Sequence, residues 1–196
     1  MARPRKSELT KEQLLEQGIG LLSEHGYHGT GLKKILDEVN VPKGSFYNFF
    51  ASKEQYVSEV IERYSQHSMA QLDQYIETSL DDPVTCLKNI HYHLIDTFEK
   101  NGLQGCLIGN LSAEVGNSSI TCRLTMRRAH EAWEKRFTKL IAQAQRQDLI
   151  RKDLSANVLS SLLWSAWQGG LLQMKIKGGT EPLKEVLDGF IDVLLK

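Results

Sequence analysis

Apolar residues recur every three or four positions along almost the whole chain, and no stretch alternates apolar with polar residues as a strand would. That periodicity restricts the chain to helices that each bury one stripe, so the fold class is all-α, with about nine helices. At 196 residues the chain can close a real core without disulfide or metal staples. Its most apolar stretch, residues 159–172, is interrupted by Ser160, Ser161, Ser165, Gln168, Gly169 and Gly170, so no membrane-spanning run is expected. Cys86, Cys106 and Cys122 are odd in number and lack C-x-x-C spacing, which fits reduced cytoplasmic thiols and no zinc site. The polar opening Met-Ala-Arg-Pro-Arg-Lys carries no secretion signal, so the expected location is cytoplasmic.

Capping chemistry places the helices. Thr10-Lys11-Glu12-Gln13 reads as a capping box, opening a helix with Leu14, Leu15, Gly18, Leu21 and Leu22 on one face. Gly26 is its expected end. Residues 32–39 form a short second helix, and Val41-Pro42-Lys43-Gly44 starts a third that runs to about residue 49. Ser52-Lys53-Glu54-Gln55 is a second capping box, before a long helix to about residue 78. Further helices are expected at 83–100, up to 114, up to 146, 155–176 and up to 195, separated by Gly-rich breaks.

Two short helices joined by the tight turn at 40–42 have the geometry of a helix-turn-helix, whose second helix can enter a DNA major groove. Such a helix needs small and polar residues near its start, with aromatic and basic anchors for phosphates. Lys43, Ser45, Tyr47 and Asn48 supply these, and Gly44 lets backbone approach backbone. Lys53, at the next helix start, adds an anion contact. Arg3, Arg5 and Lys6 are expected to form a disordered basic arm for phosphate or minor-groove contacts. On periodicity alone, the same two helices could equally be part of any helical bundle. The formal charge is zero, from 24 basic and 24 acidic residues, which speaks against an indiscriminate nucleic-acid binder. A specific reader depends instead on where charge sits. Residues 8–50 hold Lys11, Lys33, Lys34 and Lys43 against six acidic side chains, so positive charge concentrates in the arm and at helix ends.

Gly26-Tyr27, then Thr30-Gly31-Leu32-Lys33-Lys34-Ile35, then the unbroken run from Val39 to Glu54, resemble the DNA-binding signature of the TetR family. The resemblance covers about residues 10–57. It implies a dimeric, all-α transcriptional repressor that binds a palindromic operator and releases it when an effector reaches the C-terminal domain. It assigns Thr30, Lys43, Gly44, Ser45, Tyr47 and Asn48 to DNA binding and makes Lys53 the phosphate-contacting lysine. Gly31 stands where a hydroxyl residue is common in the family, and Pro42 replaces the usual Ser cap; both fit helix starts. The implied functional division is a DNA-reading domain over 1–55 and an effector-binding and dimerisation domain over 56–196.

The last two expected helices combine Leu159, Leu162, Leu163, Trp167, Leu171 and Met174 with Leu183, Val186, Leu187, Phe190, Ile191, Val193 and Leu194. Two such helices can pair with their copies as a four-helix interface, or close an ordinary intrachain core. The TetR resemblance favours the homodimer, because two half-sites on one duplex need a two-fold protein.

Cys106 follows Gly105 at an expected helix start, where free N–H groups can stabilise a thiolate; the alternative is a small buried hydrophobe. Within Gly105-Cys106-Leu107-Ile108-Gly109-Asn110-Leu111-Ser112-Ala113-Glu114, the chain also resembles a narrower TetR branch. That branch includes repressors responding to reactive electrophiles such as N-ethylmaleimide, and repressors responding to acrylate. The likeness extends to Trp133 and to the helix holding Trp164 and Lys175. Trp164, Gln168 and Lys175 share one helix face, so Lys175 either serves a thiolate or ligand carboxylate, or faces solvent near a helix C-terminus. His91 sits among apolar neighbours, as a satisfied core histidine or a ligand's hydrogen-bond partner. His91 and His93 point to different sides of a helix, which argues against a metal. Tyr92, Met126, Trp133, Trp164 and Trp167 make a candidate aromatic pocket or ordinary core packing. No cofactor is expected.

A competing reading is a small helical enzyme with Cys106 as nucleophile, which needs a base within hydrogen-bond reach. The chain has no G-x-S-x-G, H-E-x-x-H or Gly-rich phosphate loop to support it.

Overall fold

A computed structural model describes residues 6–80 and 82–196, the side chains of 6–9 and 194 excepted. The elements among them are all helical: α1 (Lys6–Gly29), α2 (Leu32–Glu38), α3 (Lys43–Phe46), α4 (Lys53–Thr78), α5 (Pro83–Asn101), α6 (Leu107–Val115), α7 (Ile120–Arg146), α8 (Ala156–Lys177) and α9 (Glu181–Gly189), closed by a π-helical turn (Phe190–Leu194). No helix among the described residues is long and apolar enough to cross a membrane. Arg3 and Arg5 lie outside the described residues. Lys6, expected in the arm, instead opens α1, and Thr10 sits inside that helix rather than capping it. Ser7, Glu8 and Leu9 include no helix breaker, so helical bonding runs back past the expected cap. At its other end α1 is kinked by Gly26, with φ 68° and ψ −174°.

Two compact units divide the chain, Met1–His67 with Leu107–Ala129, and Ser68–Cys106 with His130–Lys196. Both passages along helices, through α4 and α7, fall inside continuous helix. The first unit therefore contains α6 and the beginning of α7 as well as the helix-turn-helix.

The first unit closes around Leu14, Leu22, Ile35, Leu36, Phe46, Phe50, Tyr56 and Val60, all buried. At Gly18 a Cβ would lie 2.2 Å from the Tyr56 hydroxyl, which donates to the Leu14 carbonyl oxygen at 2.8 Å. Only hydrogen fits there. The capping box of α4 forms one residue wider than expected: Ser52 Oγ accepts the Gln55 N–H at 3.2 Å, while Gln55 Oε1 accepts the Ala51 N–H at 2.8 Å.

The second unit has its own core, including Leu87, Ile95, Ile141, Leu159, Leu163, Leu171, Met174, Leu183 and Leu187. Asp82 caps α5 through the Val84 and Thr85 N–H groups, and Ser155 caps α8 through Val158. Gly178 ends α8 in the left-handed conformation, its N–H bonded to the Met174 carbonyl.

This core corrects the expected subunit interface. Leu159, Leu163, Trp167, Leu171, Met174, Leu183, Leu187, Phe190 and Ile191 are buried within one chain. The cause is close packing of α8 on α9, where a Cβ at Gly170 would come within 3.0 Å of Leu183 Cδ2. Val158, Leu162, Leu172, Ile176 and Val193 remain exposed. On α8, with exposed Ser165 and Gly169, these residues form the series 158, 162, 165, 169, 172, 176. Steps alternating between four and three mark a coiled-coil seam.

Candidate nucleic-acid interface and sensor site

The helix-turn-helix keeps its expected turn, but α3 is only four residues long. Tyr47 and Asn48 lie just beyond it, on a turn whose bonds run from the Asn48 N–H to Ser45 and from the Phe49 N–H to Phe46. Lys43, Gly44, Tyr47 and Asn48 are exposed, Ser45 partly so. Tyr47 is 54% exposed although its ring meets Phe46 edge-on at 5.5 Å. Phe46 is locked between Phe50 at 5.1 Å and Tyr56 at 5.5 Å. A rigid aromatic root thus holds an exposed polar tip.

Thr30 requires correction. It is fully buried, and its hydroxyl donates to the Leu21 carbonyl oxygen at 3.1 Å. With no exposed surface, the side chain ties α1 to the turn before α2 and has no reach to a phosphate.

Lys53 is partly committed inside the protein. Its ammonium donates to the Tyr27 carbonyl oxygen at 2.6 Å and lies 4.0 Å from the centre of the Tyr27 ring. Burial lowers its pKa, while the Glu54 and Glu114 carboxylates oppose that shift. An ammonium has three donors, so a phosphate must use those left by Tyr27. The Tyr27 hydroxyl donates to Glu54 at 2.9 Å. Burial, and then that bond, push the phenol up to about 12.

In the second unit, Cys106 is half-buried immediately before α6, on the edge of the hydrophobic core. Lys175 from α8 reaches over the preceding residue: its Nζ lies 3.7 Å and its Cε 3.1 Å from where a Cβ on Gly105 would stand. Desolvation lowers the pKa of this ammonium, and the charge of a Cys106 thiolate opposes the shift. Lys175 itself is exposed in the last turn of α8, as its solvent-facing reading has it, with its side chain passing over Gly105. Cys86 and Cys122 are buried, and the Cys122 thiol donates to the Glu54 carbonyl at 3.4 Å.

The aromatic residues form a packed ladder. His130 meets Trp164 edge-on at 4.8 Å, Trp164 lies 6.4 Å from Trp133, and Trp133 stacks on Phe137 at 5.6 Å. His91 contacts Phe137 at 5.2 Å and Trp167 at 4.7 Å, with its Nδ1 2.8 Å from the Leu87 carbonyl oxygen. Trp133, Trp164 and Gln168 are half-buried. Of the other expected pocket residues, Tyr92 packs partly buried against the second-unit core, while Met126 belongs to the first unit. The Tyr92 hydroxyl donates to Asp188 at 3.1 Å, and Met126 is buried in the first unit. His91 is a buried core histidine, the blander of its two readings. No group of three or more potential metal ligands occurs among the described residues.

Full burial lowers the His91 pKa from 6.5 to about 4, so the folded protein keeps this ring neutral where the unfolded chain takes up a proton. The associated stability is complete above about pH 6.5 and is lost as pH falls towards 4, by about 3 kcal/mol. Urea unfolding of wild type and His91→Phe at pH 7, 5.5 and 4.5 is expected to show a shallower acid loss in the variant. Parallel pH profiles would remove His91 from the acid response.

Sequence reading missed two features. The exposed seam on α8 has a visible heptad spacing, but its apolar members are interrupted by Ser165 and Gly169 and neighbour the core stripe. The second, a bond from the His28 N–H to Glu114 at 3.0 Å, joins residues 86 apart and leaves no local signal.

Comparison with known proteins agrees with this architecture. Residues 11–60 match the model for bacterial regulatory proteins of the tetR family, and residues 83–190 match that of the tetracyclin repressor-like C-terminal domain. The chain is 36% identical over 185 residues to the HTH-type transcriptional repressor DhaR of Mycobacterium sp. (strain GP1), covering 94% of this chain and 92% of that protein. It is 31% identical to the transcriptional regulator AcuR of Cereibacter sphaeroides, over 92% of this chain and 84% of the relative. The crystal structure of the reduced form of Escherichia coli NemR superposes with a TM-score of 0.87 at 26% identity, covering 94% of this chain and 96% of that one. These relatives are transcription regulators, and so the competing enzyme reading falls. On the signature of residues 26–54, the all-helical fold and these matches, the chain belongs to the TetR family of transcription regulators.

Proposed function

We propose that this protein is a dimeric repressor that binds a palindromic operator and releases it when an electrophile alkylates Cys106. Residues 1–55 read the DNA, with Lys43, Gly44, Ser45, Tyr47 and Asn48 at base edges or phosphates and Arg3, Arg5, Lys6 and Lys53 adding phosphate contacts. Residues 56–196 sense and dimerise, and the protein acts in the cytoplasm. The observation that carries the reading is that Cys106 alone of the three thiols is partly exposed, with the Lys175 side chain passing over the adjacent Gly105. An electrophile reaches a partly exposed thiol ahead of buried ones. The likeness to DhaR, a named repressor, and to NemR, solved in a reduced form, supports the same reading.

The chemistry is addition to an activated alkene such as N-ethylmaleimide. The Cys106 Sγ forms a bond to one alkene carbon, the π pair moves to the carbon beside the carbonyl, and that carbon takes up the proton. The atoms of the thiol and the alkene are all retained in the thioether. The dimer forms through the exposed α8 seam, with Val193 beyond α9. Binding two half-sites places the reading turns about 34–36 Å apart, one turn of B-DNA.

Gel shifts on the gene's upstream DNA test this reading with wild type and Cys106→Ser, before and after N-ethylmaleimide. Wild type is expected to lose operator affinity roughly tenfold or more, within the usual range of allosteric coupling, and the variant to lose none. Mass spectrometry of the same samples is expected to find Cys106 labelled well ahead of Cys86 and Cys122. Release that persists in the variant, or equal labelling of all three thiols, would sink the thiol mechanism.

A further inference from the structure

The kink at the end of α1 is gripped from a distant part of the chain. Gly26 has φ 68°, a backbone conformation that L side chains rarely adopt. A Cβ there would lie 2.2 Å from Glu114 Oε1. The other oxygen of the same carboxylate, Oε2, accepts the backbone N–H of His28 at 3.0 Å. Between these two residues, the Tyr27 carbonyl oxygen anchors Lys53 and the Tyr27 hydroxyl is tied to Glu54, both at the start of α4. Tyr27 and His28 are thus held by side chains from α4 and α6, with Gly26 packed closely against the same carboxylate, all within the first unit.

We infer that Glu114 is a positioning residue for operator binding: its carboxylate holds the Gly26–His28 turn, and through that turn sets α2 and Lys53 for the DNA. The turn leads within a few residues into Thr30 and α2, so any displacement at 26–28 is inherited by the helix-turn-helix. Glu114 itself is half-buried on α6 and takes no part in contacting DNA in this scheme. A carboxylate suits the task because a hydrogen bond to a charged acceptor is about twice as strong as a neutral one. Gly26 suits it because any side chain would occupy the acceptor's place. The helix that carries Glu114 begins at the residue after Cys106, so the grip lies on the segment that the sensing thiol adjoins in sequence.

This inference rests on the operator-binding reading above, and the test separates the two. Full-length wild type, Glu114→Ala and Glu114→Gln are compared by amide hydrogen exchange and by anisotropy on operator DNA without effector. In Glu114→Ala, exchange over residues 26–31 is expected to rise roughly tenfold or more and operator affinity to fall by a similar factor, the scale of one charge-assisted hydrogen bond. Glu114→Gln keeps an oxygen acceptor for the His28 N–H and is expected to recover most of both. Unchanged exchange in the alanine variant overturns the inference. So does faster exchange with full operator affinity, a glutamine variant as impaired as alanine, or faster exchange spread across the whole first unit. If wild type binds no upstream DNA, the operator reading fails, and with it this role, while exchange still reports whether the grip exists.

Discussion

Replacing Leu172 with glutamate is expected to convert the proposed dimer to monomers and to lower affinity for the proposed operator by at least about a hundredfold. Leu172 is 60% exposed in the single chain and Ile176 is 74% exposed, one turn further along the same face of α8. Isolated exposed leucines need no explanation, but a seam spaced four and three over 158–176 is a repeated pattern. Ser165 and Gly169 leave its middle without bulk, so two copies of α8 can approach closely there. A two-fold interface counts each substitution twice. Loss of two buried leucines costs about 3–6 kcal/mol, and two facing carboxylates add repulsion. One subunit alone then holds a half-site without the gain in effective concentration from its partner. Light scattering after size exclusion and gel shifts on full and half operators measure both effects. A dimeric Leu172→Glu would move the interface away from α8.

Phe46→Ala is expected to destabilise the protein by about 3–5 kcal/mol, the usual cost of deleting a buried aromatic ring. Phe46 has no exposed surface and touches Phe50, Tyr56 and Tyr47, so no neighbour can move in without abandoning another ring. The stake is high because α3 contributes only four helical residues and owes its placement to this side chain. A loss of that size is a large share of a typical domain's stability. Denaturant midpoints followed by tryptophan fluorescence report on the second unit, where Trp133, Trp164 and Trp167 all lie. Far-UV circular dichroism covers both units. Tyr47→Ala provides the contrast: with its side chain largely exposed, it should leave stability nearly unchanged while weakening DNA binding. A stable Phe46→Ala would mean that the aromatic cluster is not what holds the turn.

The helices were legible because caps and periodicity are local. Ser52, Ser155, Pro83 and Gly178 each act within a few residues of their own position. Where a boundary was misplaced, local chemistry offered more than one solution. Thr10 is a good cap, yet the residues before it also form helix, and extension won. Thr30 looked like a DNA contact because its spacing matched a family pattern, whereas its burial depends on how α1 folds back over the turn. On α8 the difficulty was a surplus of signal. Leu159, Leu163 and Leu171 form one stripe; Val158, Leu162 and Leu172 form another beside it. Periodicity identifies both and cannot say which faces the chain's own core. The grip of Glu114 on His28 and the approach of Lys175 to Gly105 depend on tertiary placement, so neither could be read before the fold.

The burial of two thiols out of three has a consequence for time rather than for affinity. Cys86 and Cys122 are buried and leave Cys106 as the single partly accessible thiol of each chain. A ligand held by contacts leaves when its concentration falls, so occupancy follows the present level. A thioether does not dissociate on that schedule. Under the proposed alkylation of Cys106, each chain would record one encounter and keep the record, and the fraction modified would track accumulated exposure. Such a regulator works as a dosimeter. A brief intense pulse and a long faint one of equal integral would leave the same number of operators vacant, and new synthesis of the protein would reset the count.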